Sequence, residues 1–189
     1  MRTRTLLTLL LSMVLPATVA AAKKLSGTIS DPVAFSQIHS YCVDTENMPG
    51  DEALDVKDFM IVESKPKKLL SKLPWTRSSE CSQDSADAVV KVEFGTYYPV
   101  ANSQTGVATP GNGPAQEEFY KIRVTLRVFQ GGSSEALYEV EADPLNNSLT
   151  GAEVLPVDVP LPVQRRNAIY GAFWKLADDV RQVSQTKSK

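Results

Sequence analysis

The chain has 189 residues, 20 Lys+Arg against 22 Asp+Glu for a formal charge of −2, and 42% hydrophobic residues. That is enough apolar material for one ordinary core, and the balance is too acidic for a nucleic-acid binder, which needs a basic surface. Two cysteines and one histidine leave a thiol or imidazole metal centre short of ligands.

Residues 1–22 read as a secretory signal peptide. Arg2 and Arg4 give a positive start, Leu6 to Leu15 an apolar run, and small residues fill Ala17 to Ala22. The run is shorter than the roughly 20 residues of a membrane span. No cysteine lies near the cleavage region, so no lipid anchor is expected. Cleavage near Ala22 removes two arginines and no acid, which moves the formal charge to about −4. The expected product is exported, periplasmic or secreted, with no membrane span. In such an oxidising compartment Cys42 and Cys81 are expected to pair, and closing that loop is worth ~4 kcal/mol.

Residues 23–34 are polar and unpatterned and predict a loose arm, followed by a single domain over 35–184 and a polar tail over 185–189. Phe35 to Val43 predicts a first strand, with Ile38 and Cys42 on one face and His39, Tyr41 and Val43 on the other; apolar groups on both faces put it inside the sheet. Asp44 to Glu52 is an acidic turn around Pro49-Gly50. Its acids do not fit a calcium loop, because Met48 would fall at the fifth position and Gly50 at the seventh. Leu54 to Glu63 fits neither period cleanly and leans to a short helical piece. Ser64 to Leu73 predicts a helix of about two turns, capped by Ser64, with Pro66 in the first turn, Leu69, Leu70 and Leu73 on one edge, and Pro74 as its stop. Trp75 is expected over the same core.

The most strand-like run is Ala88 to Phe94, where Val90, Val92 and Phe94 alternate with Lys91 and Glu93. Ser85 and Asp87 precede it with side chains able to bond local backbone, and Cys81 is its tether. Gly95 to Glu118 is a long irregular stretch, of a length that is commonly either functional or disordered. Phe119 to Phe129 and Ala136 to Ala142 predict two strands joined at Gly131-Gly132. Asp143 to Pro162 is a proline-rich connection; its Asn146-Asn147-Ser148 matches a glycosylation acceptor, relevant only to a eukaryotic secretory route. Val163 to Ser184 predicts the principal helix, with Ile169, Ala172, Phe173, Leu176, Val180 and Val183 on one face and Lys175, Asp178 and Gln182 opposite. The fold class expected is α+β: a mostly antiparallel sheet of about four strands, with one short helix and one long C-terminal helix packed on it.

With Lys72-Leu73-Pro74-Trp75 and Ser85-Ala86-Asp87-Ala88-Val89-Val90 in that order of elements, the chain from Phe35 to Val183 resembles small bacterial cell-envelope domains. Many of these are lipoproteins, and their layout is similar to the amino-terminal domain of TolB. The resemblance implies an envelope location, an α+β fold and a role in assembly or protein contact. It brings no catalytic residues, and this chain lacks the anchoring cysteine of the lipoproteins.

No catalytic residue, cofactor or metal is expected. His39 lies away from any nucleophile elbow and reads as structural. The carboxylates Asp87, Glu117-Glu118 and Asp178-Asp179 read as solvated, without the desolvation that raises a carboxyl pKa. The glycines at Gly111 and Gly113 lack the Lys-Ser or Lys-Thr ending of a phosphate loop. Tyr170 and Trp174 flank the apolar stripe of the long helix, and with Tyr97 and Tyr98 they form the expected partner-binding patch; packing beneath the Gly95 to Glu118 loop is the other reading. The leading expectation is a non-catalytic protein-binding module with an envelope protein as partner. The alternatives are a small-ligand or polymer binder and an enzyme of unfamiliar type.

Overall fold

Alternation of apolar and polar residues makes Ala88–Phe94 a strand buried on one face, and the rest of the sheet assembles on either side of it. The computed structural model describes residues 25–82, 85–95, 98–100, 119–142 and 160–186. In chain order its elements are β1 (Gly27–Ile29), α1 (Pro32–Phe35), β2 (Ser40–Asp44), α2 (Gly50–Glu63), a 3-10 turn (Leu70–Lys72) and β3 (Thr76–Arg77). There follow β4 (Ala88–Phe94), β5 (Tyr98–Val100), β6 (Phe119–Lys121), β7 (Val124–Gln130), β8 (Ala136–Ala142) and α3 (Leu161–Thr186). The signal-peptide segment, most of the Gly95 to Glu118 loop, and residues 143–159 with the Asn146-Asn147-Ser148 motif lie outside the described residues.

The fold is α+β with a long C-terminal helix, but the sheet is larger and more mixed than about four antiparallel strands. Among the described residues six strands run in the order β1-β8-β7-β4-β2-β3, and β5 and β6 form a separate pair. β2 lies parallel to both β3 and β4, because the chain leaves β2, crosses through α2 and returns. β4, β7, β8 and β1 are mutually antiparallel. As expected for a strand apolar on both faces, β2 is interior, although it begins at Ser40; Phe35 belongs to α1 instead.

One face of the sheet and one side of each main helix make the core. Val90 pairs with Val43 on one side and Val128 on the other, and Val128 pairs with Tyr138, so an inward row crosses four strands. Ile169, Ala172, Phe173 and Leu176 of α3 and Val56, Phe59 and Met60 of α2 cover that row. Phe59 stacks on Phe173 with ring centres 5.4 Å apart, and Phe35 stacks on Tyr138 at 5.5 Å. The helix face read from the sequence is the buried one.

Three expectations are corrected here. The loose arm over 23–34 is ordered from Leu25 onward: Leu25 is buried, β1 pairs with β8, and Asp31 caps α1 by accepting from the backbone N–H groups of Val33 and Ala34. A strand of three residues is too short to show a period, but Asp31-Pro32 was an available start signal. The helix between β2 and β4 is Gly50–Glu63, 14 residues long. Leu54 and Ile61 lie more than 60% exposed on its outer side and blur its apolar stripe. Ser64 to Leu73 is not a helix. Ser64 ends α2, Lys67 takes a left-handed φ of 69°, and only Leu70–Lys72 coils.

The expected strand from Phe119 to Phe129 is broken after Lys121. Val124 onward pairs with β4 in the large sheet, whereas Phe119–Lys121 pairs with Tyr98–Val100 in a separate two-stranded sheet. The β7–β8 hairpin forms as expected, with Gly132 at φ 79° in its turn.

Candidate functional site

The disulfide is formed between Cys42 of β2 and the loop residue Cys81, with Cα atoms 5.3 Å apart. Cys42 is buried and Cys81 exposed, so the bridge clamps the loop before β4 onto the outer face of the sheet. Ser85 orders that loop, its hydroxyl bonding the carbonyls of Glu80 and Ser82. Asp87 reaches farther than the sequence suggested. Its carboxylate accepts from the backbone N–H groups of His39 and Ser40 at 2.8 Å each, while its own N–H donates to Ser40 Oγ at 2.9 Å. These bonds hold the carboxyl below the usual aspartate range and lock the starts of β2 and β4 together. His39 itself is exposed just ahead of β2, beside a small cleft of about 100 Å³.

The polar groups inside the core are already committed to one another. Tyr138 Oη donates to Asp179 Oδ2 at 3.0 Å, and Lys175 donates to Asp179 Oδ1. Gly27 of β1 lies so close that a Cβ there would overlap both Tyr138 Oη and Asp179 Oδ2. Burial, with the Asp179 charge second, pushes the Tyr138 hydroxyl far above its ordinary pKa. Asp179 is therefore buried, which corrects the expected solvated pair: Asp178 is partly exposed and Asp179 is not. Lys175, expected on the wet side, turns inward to it. At the other end of α3, buried Arg165 pairs with Asp51 and Asp55 of α2 and lies over the Phe94 ring. The Arg165 guanidinium holds the Asp51 carboxyl low. Glu63, also buried, accepts from the Leu69 N–H and fixes the turn after α2. Only Lys175–Asp179, four residues apart on one helix, has a local spacing that suggests its pairing; the others join residues distant in the chain or across a turn.

Of the expected aromatic patch, the described side chains are Tyr170 and Trp174. Both are partly buried and pack against the core, and the Tyr170 ring stands edge-on to Phe59 at 6.5 Å. Tyr97 lies outside the described residues, as do Glu117 and Glu118, and Tyr98 is described only as backbone paired with Lys121. Half of the expected patch thus lies outside the described side chains.

Among the described residues, the surface that stands open is the other face of the sheet. The residues alternating with the core row form a charged lattice across β2, β4, β7 and β8. Lys91 faces Asp44 at 3.9 Å, Arg127 bonds Glu93 and Glu139, and Arg123 meets Glu141 at 3.1 Å. The two carboxylates around Arg127 push its pKa above the ordinary value. Next to this lattice lies a groove of about 870 Å³ between the Thr45-Glu46 turn, the 79–82 loop and the hairpin turn at Gly132 to Ser134. Val89 and Phe129, directly paired, make its apolar floor, and Lys91 Nζ sits 5.4 Å over the Phe129 ring. The disulfide edges it through Cys81. The wet face of these strands was legible as alternation. The groove was not, because its walls are loops distant in sequence. Among the described residues no helix is long and apolar enough to cross a membrane. No protein-family model matches the chain, and no curated protein matches it either.

Proposed function

We propose that this chain is a non-catalytic protein-binding module of the bacterial cell envelope, exported with cleavage near Ala22, and that it holds its partner on the open face of the sheet. The observation that carries this reading is the groove beside the disulfide: an apolar floor of Val89 and Phe129 inside a charged surround, on the face that, among the described residues, no helix covers. An apolar centre with a polar rim is the usual build of a docking surface. The formed Cys42–Cys81 bridge supports an oxidising compartment. The buried acids and bases support a binding role over a catalytic one, since each described above is engaged in holding elements together.

This moves the contact away from Tyr170 and Trp174, whose partial burial against the core gives them a packing role. The test is affinity capture from envelope extract after mild crosslinking, using three oxidised baits: the natural chain, Trp174→Ala and Ser79→Trp. Ser79 is exposed on the groove wall, so tryptophan there obstructs the groove without touching the core. One specific protein is expected with the first two baits and not the third. Loss with Trp174→Ala and retention with Ser79→Trp would transfer the contact to the helical side.

A further inference from the structure

The groove is not neutral. Among the described residues, Asp44, Glu46, Glu80 and Glu93 line it with Lys91 as the only lysine or arginine, a formal charge of −3. Asp44 is answered by Lys91 and Glu93 by Arg127. Glu46 and Glu80 are exposed, and among the described residues neither carboxylate has an ion-pair partner; their hydrogen bonds are made by backbone groups, the Glu46 N–H to Asp44, the Glu80 N–H to Ser78 and the Glu80 carbonyl from Ser85 Oγ. Two uncompensated carboxylates thus stand on two different walls, with the Val89–Phe129 floor between them.

Resting on the open-face reading above, we infer that the groove takes an extended basic polypeptide segment, with an apolar side chain on the Val89–Phe129 floor and lysine or arginine side chains toward Glu46 and Glu80. The shape favours a chain over a compact ligand, because three separate loops bound the groove and it lies on an open sheet face. The charge excludes anionic surfaces and nucleic acid, which this rim would repel. The floor requires more than charge, so a purely cationic ligand leaves Val89 and Phe129 uncovered.

The probe is a fluorescein-labelled eight-residue peptide alternating lysine with leucine, tested by anisotropy against the oxidised mature chain. Its two controls replace every lysine by glutamate, or every leucine by serine. Saturable binding is expected that weakens as salt rises, together with about tenfold loss in Glu46→Lys/Glu80→Lys, the scale of two reversed rim charges. Glu46→Gln/Glu80→Gln gives the same direction should the reversal disturb folding, which circular dichroism reports. The Lys-Ser peptide should bind more weakly than Lys-Leu, and Phe129→Ala should remove that difference. Equal binding of the glutamate peptide, no effect of either double variant, or equal binding of Lys-Ser overturns the assignment. Self-association of the chain, abolished by the double variant, would seat a second copy in the groove and overturn it as well. Failure here with capture still lost in Ser79→Trp refutes the partner chemistry alone; loss of neither refutes the open-face reading.

Discussion

The Tyr138 hydroxyl of β8 meets the Asp179 carboxylate of α3 inside the core at 3.0 Å, and Gly27 of β1 closes over both. One polar contact therefore sets how the long helix lies on the sheet and how the edge strand reaches it. Tyr138→Phe removes the donor and leaves Asp179 buried with Lys175, and is expected to cost about 1–3 kcal/mol. Gly27→Ala places a methyl group where the two oxygens stand, and about 1–3 kcal/mol is expected for such overpacking. Urea unfolding of each variant checks both values.

Burial pushes the Tyr41 hydroxyl up to about 12, against a modest opposing effect of Arg77. Its folded pKa lies above the unfolded value near 10, so its contribution is fully present below pH 10 and is lost as pH rises toward 12. The shift corresponds to about 2–3 kcal/mol. Tyr138 acts in the same direction. Asp87 works at the opposite end: its lowered pKa gives stability present above the ordinary aspartate value and lost as pH falls through the folded one. Stability measured from pH 2 to 12 should fall at both ends. Tyr41→Phe should flatten the alkaline fall and Asp87→Ala the acid one.

Reducing the Cys42–Cys81 bridge opens a loop with a sequence separation of 39. The expected loss is about 4 kcal/mol if the entropic account holds in full. Because Cys81 and Ser82 wall the groove, binding at the groove should weaken in the Cys42→Ser/Cys81→Ser variant more than in Tyr138→Phe. Unfolding curves with and without reductant, followed by capture with each variant, measure the two effects.

Trp174 lies against the core on one side. Trp174→Ala is expected to lower stability, by about 2 kcal/mol for a side chain that is only partly buried, and to leave groove binding intact. Thermal unfolding and capture on the same preparation separate these effects.

The long elements were legible because their periods are strong. Ala88–Phe94, the hairpin around Gly132 and the buried face of α3 follow from alternation and helical spacing, and the disulfide follows from the two cysteines of a chain whose first 22 residues read as a signal peptide. Elsewhere the deciding contact lies far along the chain. Nothing near Asp87 says that its carboxylate holds His39 and Ser40, 47 or more residues away. Asp179 looks solvated beside Asp178 until Tyr138 and Gly27 arrive from the sheet. The exposed Leu54 and Ile61 concealed the length of α2, and β1 is too short to carry a period. The groove combines three loops with a strand floor, a juxtaposition that only the folded topology creates.

The most direct test of the open-face reading is site-specific photocrosslinking in the living cell envelope. A photoreactive residue replaces Ser79 or Ser133 on the groove walls, or Lys57 on α2 as a control. The account predicts one discrete protein adduct from both groove positions and none from Lys57. Adducts from Lys57 alone, or the same adducts from all three positions, would contradict it.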